Sequence, residues 1–245
     1  PENIAWLLNI RGYDNPNSPI PNARLIINKN KKFFLITQKN NAKKIIKEKK
    51  INKNLVIDIR NISKLINSLR GNKFIIDNKT CSIYHENIIK SKFKILDKDD
   101  PIYKLKSIKN LCEINHMIEA HKKDGLALTK FIYWIKNINK KTITEVAAQN
   151  KLEKFRKLNT DYLFPSFNTI AGSGSNGAIV HYRATTKATK IIKKKDVFLI
   201  DSGGQYRYGT TDVTRTICFS NQKLSIKNAY TNVLKGHIAV ALTNL

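Results

Sequence analysis

Short apolar runs set the limits on what this chain can fold into. The longest, "FFLI" at 33–36 and "VFLI" at 197–200, are strand-sized, far short of the roughly 18–20 apolar residues that cross a bilayer. We therefore expect no membrane span, and no signal peptide. Over the first hundred residues "IAWLL", "RLIIN", "KFFLIT", "NLVIDI" and "KFIID" are strand candidates, rich in β-branched and aromatic side chains. Helical stretches at 41–50 and 61–70 separate some of them, and Gly71 is placed to stop the second. Strands alternating with helices predict an α/β domain. The polar, proline-containing stretch "DKDDPIY" at 97–103 is the expected boundary, giving domains 1–103 and 104–245.

Beyond the boundary the pattern lengthens. Ile108, Leu111, Ile114, Ile118, Leu126, Leu128, Phe131, Ile132 and Ile135 approximate helical spacing. A second helix is expected over 142–158, opened by a capping box of Thr142 and Glu145. "SFNTIAG", "GAIVHY", "DVFLIDSG" and "TDVTRTICF" then predict strands, and the tail from Ser225 is helical again. The second domain is thus of the α+β kind. Pro1 leads within three residues into "IAWLLNI", and the tail stops at Leu245 without a cap; we expect the chain to begin and end inside a longer protein.

Charge is the feature most open to misreading. The chain carries 45 Lys and Arg against 18 Asp and Glu, a net charge of +27. Its lysines are dispersed and accompanied by excess Ile and Asn, the trio an AT-rich coding sequence writes. Runs such as "NKNKK" and "KKIIKEKK" lack the interleaved aromatics of a single-strand platform. The expectation is a solvated basic surface with no specific nucleic-acid partner. Cys81, Cys112 and Cys218 are odd in number and far apart, with no CxxC spacing. That argues against a cysteine zinc site and fits a reducing cytoplasm. All three are read as small buried hydrophobes.

Two segments carry chemistry. Gly172, Gly174 and Gly177 match G-x-G-x-x-G, but a phosphate loop needs a helix after its glycines, and "AIVHY" follows. The glycines are expected to make a turn between strands that delivers His181 to the edge of a cleft. In "VFLIDSGGQYRYGTTDVTRTICF", Asp201 ends an apolar strand and Asp212 begins an alternating one. A hairpin centred between Tyr206 and Arg207 would set the two carboxylates directly opposite each other. Like charges so placed are destabilising unless a cation lies between them. Oxygen ligands of this kind suit Mn²⁺ or Mg²⁺.

These residues resemble the pita-bread metallopeptidases, and most closely the Xaa-Pro aminopeptidases. "IAWLLNIRG", "LKSIKNLCEINHMIEAHKKDGLAL", "SFNTIAGSGSNGAIVHY", "LIDSGGQYRYGTTDVTRT" and "VLKGHIAV" carry the resemblance, in family order across nearly the whole chain. It implies a partial creatinase-like domain over 1–103 and an incomplete pita-bread catalytic domain over 104–245. It implies two divalent cations, most often Mn²⁺, held by two aspartates, a histidine and two glutamates. Asp201 and Asp212 match the aspartates, while the remaining ligands fall beyond Leu245. His181 matches a histidine outside the metal shell that binds substrate and stabilises the reacting centre. His237, in "LKGHIAV", is not the metal histidine. The implied reaction removes the N-terminal residue of peptides with proline second, in a cytoplasmic homodimer, and the 245-residue fragment alone is expected to be inactive. A prolidase limited to dipeptides and a metal-free binding protein for protein or nucleic acid are the alternatives.

Overall fold

The computed structural model describes residues 1–49, 51–138 and 142–243. They fall into two compact units, Pro1–Cys112 and Glu113–Leu245, both mixing helix and strand. The first unit runs α1 (Glu2–Leu7), β1 (Ala23–Ile27), β2 (Phe33–Thr37), α2 (Lys39–Lys49), β3 (Val56–Asp58), α3 (Ile62–Ser68), β4 (Lys73–Ile76), α4 (Ile83–Lys90), β5 (Lys94–Asp97) and α5 (Ile102–Ser107). β1 pairs antiparallel with β2, which pairs parallel with β3; β4 and β5 form a separate parallel pair. Ile36, Ile62, Leu65, Ile66, Ile76, Ile89 and Phe93 form one buried cluster between these strands and helices.

"IAWLL", expected as a strand, is helical instead. Ile4 and Leu8, four residues apart, pack together on the cluster of Ile10, Ala23, Leu35 and Ile45, contacts that only a helical period delivers. Glu2 in the first turn suits the positive end of the helix. The cysteine expectation also fails. Cys112, at the start of a long helix, and Cys218, at the end of a strand, are exposed, and Cys81 is half-buried against the edge of the Ile36 cluster.

The second unit opens with the long α6 (Leu111–Asn137) and α7 (Glu145–Arg156). It continues through β6 (Tyr162–Pro165), β7 (Ile170–Ser173), β8 (Val197–Ser202), β9 (Gly204–Tyr206), β10 (Gly209–Thr210) and β11 (Val213–Cys218) to α8 (Leu224–Ala241). The strands make two three-stranded antiparallel sheets, β11-β8-β7 and β10-β9-β6. Leu128, Phe131 and Ile135 of α6 and Ala148 and Leu152 of α7 close over Ala171, Phe198, Ile200 and Ile217 of the first sheet. α8 has no buried residue among those described, and His237 lies exposed on it.

Two expectations fail in this unit for one reason. The helix cap is Thr144, whose Oγ1 accepts the Ala147 N–H at 3.1 Å, not Thr142. "GAIVHY" is not a strand: Gly174–Ala178 is a 3₁₀ turn and Ile179–Tyr182 continues as a turn. Glu145 explains both. Its side chain faces inward instead of reaching back to complete a capping box, and the 173–190 segment wraps around it.

Candidate metal centre

Strand alternation sorts the residues of β8. Phe198, Ile200 and Ser202 are buried toward the helices, while Val197, Leu199 and Asp201 are half-buried on the other face. Asp201 is therefore carried on the face turned away from the helix-covered core. Its Oδ1 is nonetheless buried and has no hydrogen-bond partner among the described residues. A buried acceptor left without a partner is costly, so this oxygen is available to a cation.

The hairpin turn is centred one residue later than expected, which shifts the pairing by two. Tyr206 pairs with Gly209, Gln205 with Thr210, Ser202 with Val213 and Asp201 with Thr214. The centre lies between Arg207 and Tyr208, so Asp201 faces Thr214 rather than Asp212. Continuing that register puts Asp212 opposite Gly203, diagonal to Asp201. Because the slip moves the pairing by two positions, both aspartates keep the same face. Diagonal neighbours on a ladder lie about 7–8 Å apart. The tip is displaced because Arg207 and Tyr208 are both fastened from outside. The Arg207 N–H donates to the Asp161 carbonyl at 3.0 Å. The Tyr208 hydroxyl reaches the Asp161 carboxylate at 3.1 Å and accepts from Lys123 at 2.5 Å.

Gly203 lets the hairpin pass from one sheet to the other. A Cβ there would stand 1.9 Å from the Thr211 carbonyl oxygen and 2.2 Å from Ser166 Oγ. No larger residue fits at position 203. Gly172 has a similar reason: a Cβ would meet Gly177 Cα at 2.8 Å. The glycine-rich segment thus packs β7 against its own following turn, and that turn, not a helix, comes next.

Behind the hairpin lies a charge pair that the sequence reading did not single out. Arg156 donates to Asp124 through Nε at 2.7 Å and Nη2 at 3.1 Å, with both side chains 1% exposed. Arg156 Nη2 also donates to Ser202 Oγ at 3.1 Å, and the Tyr206 hydroxyl donates to Asp124 at 2.8 Å. Burial pulls the Arg156 guanidinium down, but the bonded Asp124 more than offsets it. Burial, then the Asp124 charge, pushes the Tyr206 phenol well up. A signal was available, since Asp124 sits at helical spacing between Ala120, Ala127 and Leu128 on the buried stripe of α6. An acid on such a stripe needs a partner.

His181 is exposed, with φ of +54°, a left-handed conformation uncommon for a residue other than glycine. The structure joins Asp201 and Asp212 on one hairpin; His181 lies on the connection between β7 and β8. No cluster of three or more His, Cys, Asp or Glu side chains able to hold a metal forms among the described residues. The buried Asp201 oxygen, without a partner among the described residues, suits a hard divalent cation but makes only part of a coordination shell.

The chain resembles known proteins in sequence and in fold. Residues 115–243 match the model of metallopeptidase family M24, and residues 1–113 match the creatinase/prolidase N-terminal domain. Aminopeptidase P2 of Arabidopsis thaliana is 33% identical over 98% of the chain and 38% of its own length. The Xaa-Pro aminopeptidase ApepP of Drosophila melanogaster is 34% identical over 99% of the chain and 40% of its own. The chain thus spans about two fifths of these curated relatives. Among solved structures, the X-prolyl aminopeptidase of Caenorhabditis elegans, described as a cytosolic enzyme with a di-nuclear active site, superposes with a TM-score of 0.80. It is 25% identical, over 97% of this chain and 40% of that one. The Xaa-Pro dipeptidase of Bacillus anthracis shares the fold, with a TM-score of 0.73 at 21% identity over 97% of this chain and 63% of its own. With the M24 model matching just over half of its residues, the chain belongs to metallopeptidase family M24.

Proposed function

We propose that this chain supplies two of the metal ligands, Asp201 and Asp212, of an aminopeptidase that cuts the bond between an N-terminal residue and a following proline. The observation that carries the reading is the buried Oδ1 of Asp201, which has no partner among the described residues; the β8–β11 register, continued by one pair, brings Asp212 diagonal to it. Divalent cations held there, two in number and most often Mn²⁺, supply Lewis acidity and bring the pKa of water near neutrality. Asp201 and Asp212 would hold the cations through their side-chain oxygens. His181, exposed on the connection between β7 and β8, orients the peptide and donates to the oxygen that becomes negative at the cleaved carbonyl. The proline nitrogen carries no N–H in the peptide, so proline is recognised by ring shape.

Two of five ligands make a weak site. The 245-residue chain alone is expected to leave an Arg-Pro-Pro peptide intact, and the same stretch carried in a chain of its relatives' length is expected to hydrolyse it with added Mn²⁺. Turnover by the short chain would overturn the partial-site reading, and failure of the long chain would overturn the peptidase reading. An Xaa-Pro dipeptide assayed beside the longer peptide separates an aminopeptidase from a prolidase, and we expect the longer peptide to be preferred. The long protein is proposed to act in the cytoplasm as a homodimer. Among the described residues no helix is long and apolar enough to cross a membrane.

A further inference from the structure

Glu145 is the most completely engaged carboxylate in the second unit, and the metal chemistry does not use it. The residue is 0% exposed. Its Oε1 accepts the Ser173 N–H at 2.8 Å and the Asn176 amide at 2.9 Å. Its Oε2 accepts the Tyr182 hydroxyl and the Lys190 N–H, both at 2.8 Å, and the Asn176 amide again at 3.2 Å. Asn176 and Tyr182 also bond to each other at 2.7 Å. All these donors are neutral. The carboxylate is compensated by hydrogen bonds and by its place in the first turn of α7, not by a cation.

The donors span residues 173 to 190, most of the connection between β7 and β8. That connection holds no strand, and a single isolated bridge, Thr185 to Ala188, lies wholly within it. His181 sits inside the span, directly before Tyr182. A left-handed residue other than glycine persists only where its surroundings over-determine it. Here the neighbouring Tyr182, tied to Glu145 and Asn176, supplies the constraint, while the His181 side chain is left exposed and free to meet substrate.

We propose that Glu145 is a positioning residue for His181, acting through Tyr182 and Asn176. Its consequence for catalysis rests on the function proposed above. Glu145→Gln keeps the shape but turns an N–H₂ toward backbone donors at Ser173 or Lys190. Tyr182→Phe removes one hydroxyl and leaves the rest of the knot, so it tests the idea even if Glu145→Gln does not fold. Two measurements decide. In the 245-residue chain, the NMR signals of the His181 backbone and ring are expected to move in both variants. In the chain of its relatives' length, kcat on the Arg-Pro-Pro peptide is expected to fall by up to about 100-fold. Mn²⁺ affinity, set on the separate hairpin, is expected to stay within about threefold, well short of the 10–100-fold loss seen when a group supporting a ligand is removed. Folded variants whose His181 signals coincide with wild type, or whose kcat is unchanged, would overturn the proposal. So would a parallel loss of Mn²⁺ affinity, which would mark Glu145 as a support of the whole site. If the wild-type long chain cleaves no Xaa-Pro peptide, the peptidase reading has failed instead. The His181 signals then decide the positioning claim alone.

Discussion

The hairpin that carries Asp201 and Asp212 and the connection that carries His181 are fixed by opposite means. In the hairpin, backbone pairing from Val197–Cys218 to Ser202–Val213 sets each side chain's place, and an oxygen of Asp201 is left without a bond. In the connection there is almost no backbone pairing, and one carboxylate, Glu145, spends both its oxygens on holding the chain. Placement by a ladder leaves side-chain atoms available to an incoming group. Placement by a side chain consumes them. That is why two acids in the same unit differ: Asp201 keeps a buried oxygen with no partner among the described residues, which the proposed function gives to a cation, whereas both oxygens of Glu145 are engaged.

The largest expected effect tests whether the ladder is sufficient on its side of the comparison. Asp124→Ala leaves Arg156 buried without its carboxylate, and breaking such a pair costs about 3–5 kcal/mol, read by urea unfolding. Asp124→Leu with Arg156→Met together should recover most of that loss, since an apolar pair of similar volume is often neutral or better. A cost under about 1 kcal/mol for Asp124→Ala, typical of ordinary substitutions, would mean that the hairpin needs no brace through Ser202. Next in size, Asp201→Asn and Asp212→Asn should each weaken Mn²⁺ binding by on the order of 100-fold or more, beyond what loss of a supporting group produces. Calorimetric titration checks it. Without metal, Asp201→Asn should melt no lower than wild type, because it removes charge from a shielded acceptor that has no partner. A large loss of stability in the absence of metal would show that the carboxylate holds the hairpin, erasing the contrast with Glu145.

Much of this was legible in the residues. Runs rich in β-branched and aromatic residues gave β1, β2, β4, β8 and β11, and helical spacing gave α6 and α8. The two aspartates were legible as residues of one hairpin; their register was not. It depends on Asp161 and Lys123, distant in sequence, fastening the tip at Arg207 and Tyr208. "GAIVHY" carries β-forming residues yet makes a turn, since tertiary hydrogen bonds to Glu145 override local preference. The cap falls on Thr144, two residues after the expected Thr142, and Glu145 points inward instead of back toward a box. Thr144→Ala should therefore cost about 1 kcal/mol of stability, and Thr142→Ala should stay within about 0.5 kcal/mol, by thermal or urea unfolding. Equal losses would put the start of α7, and with it the anchor of the connection, in the wrong place.

The smallest effect is read in alkaline solution. Burial, and then the hydrogen bond to Glu145, push the Tyr182 phenol up to about 12, against roughly 10 for an unhindered tyrosine. The folded chain keeps a proton there that the unfolded chain gives up. The sign follows from that: the contribution is fully present below about pH 10 and is lost as pH rises through about 12. Wild type and Tyr182→Phe share every other alkaline titration, so the difference between their melting temperatures isolates this one. The advantage of wild type should be constant up to about pH 10 and shrink across the next two units. An advantage unchanged over the window would mean that the Tyr182 proton is not held toward Glu145. The connection would then owe its shape to the Ser173, Asn176 and Lys190 bonds alone, and His181 would lose the anchor closest to it in sequence.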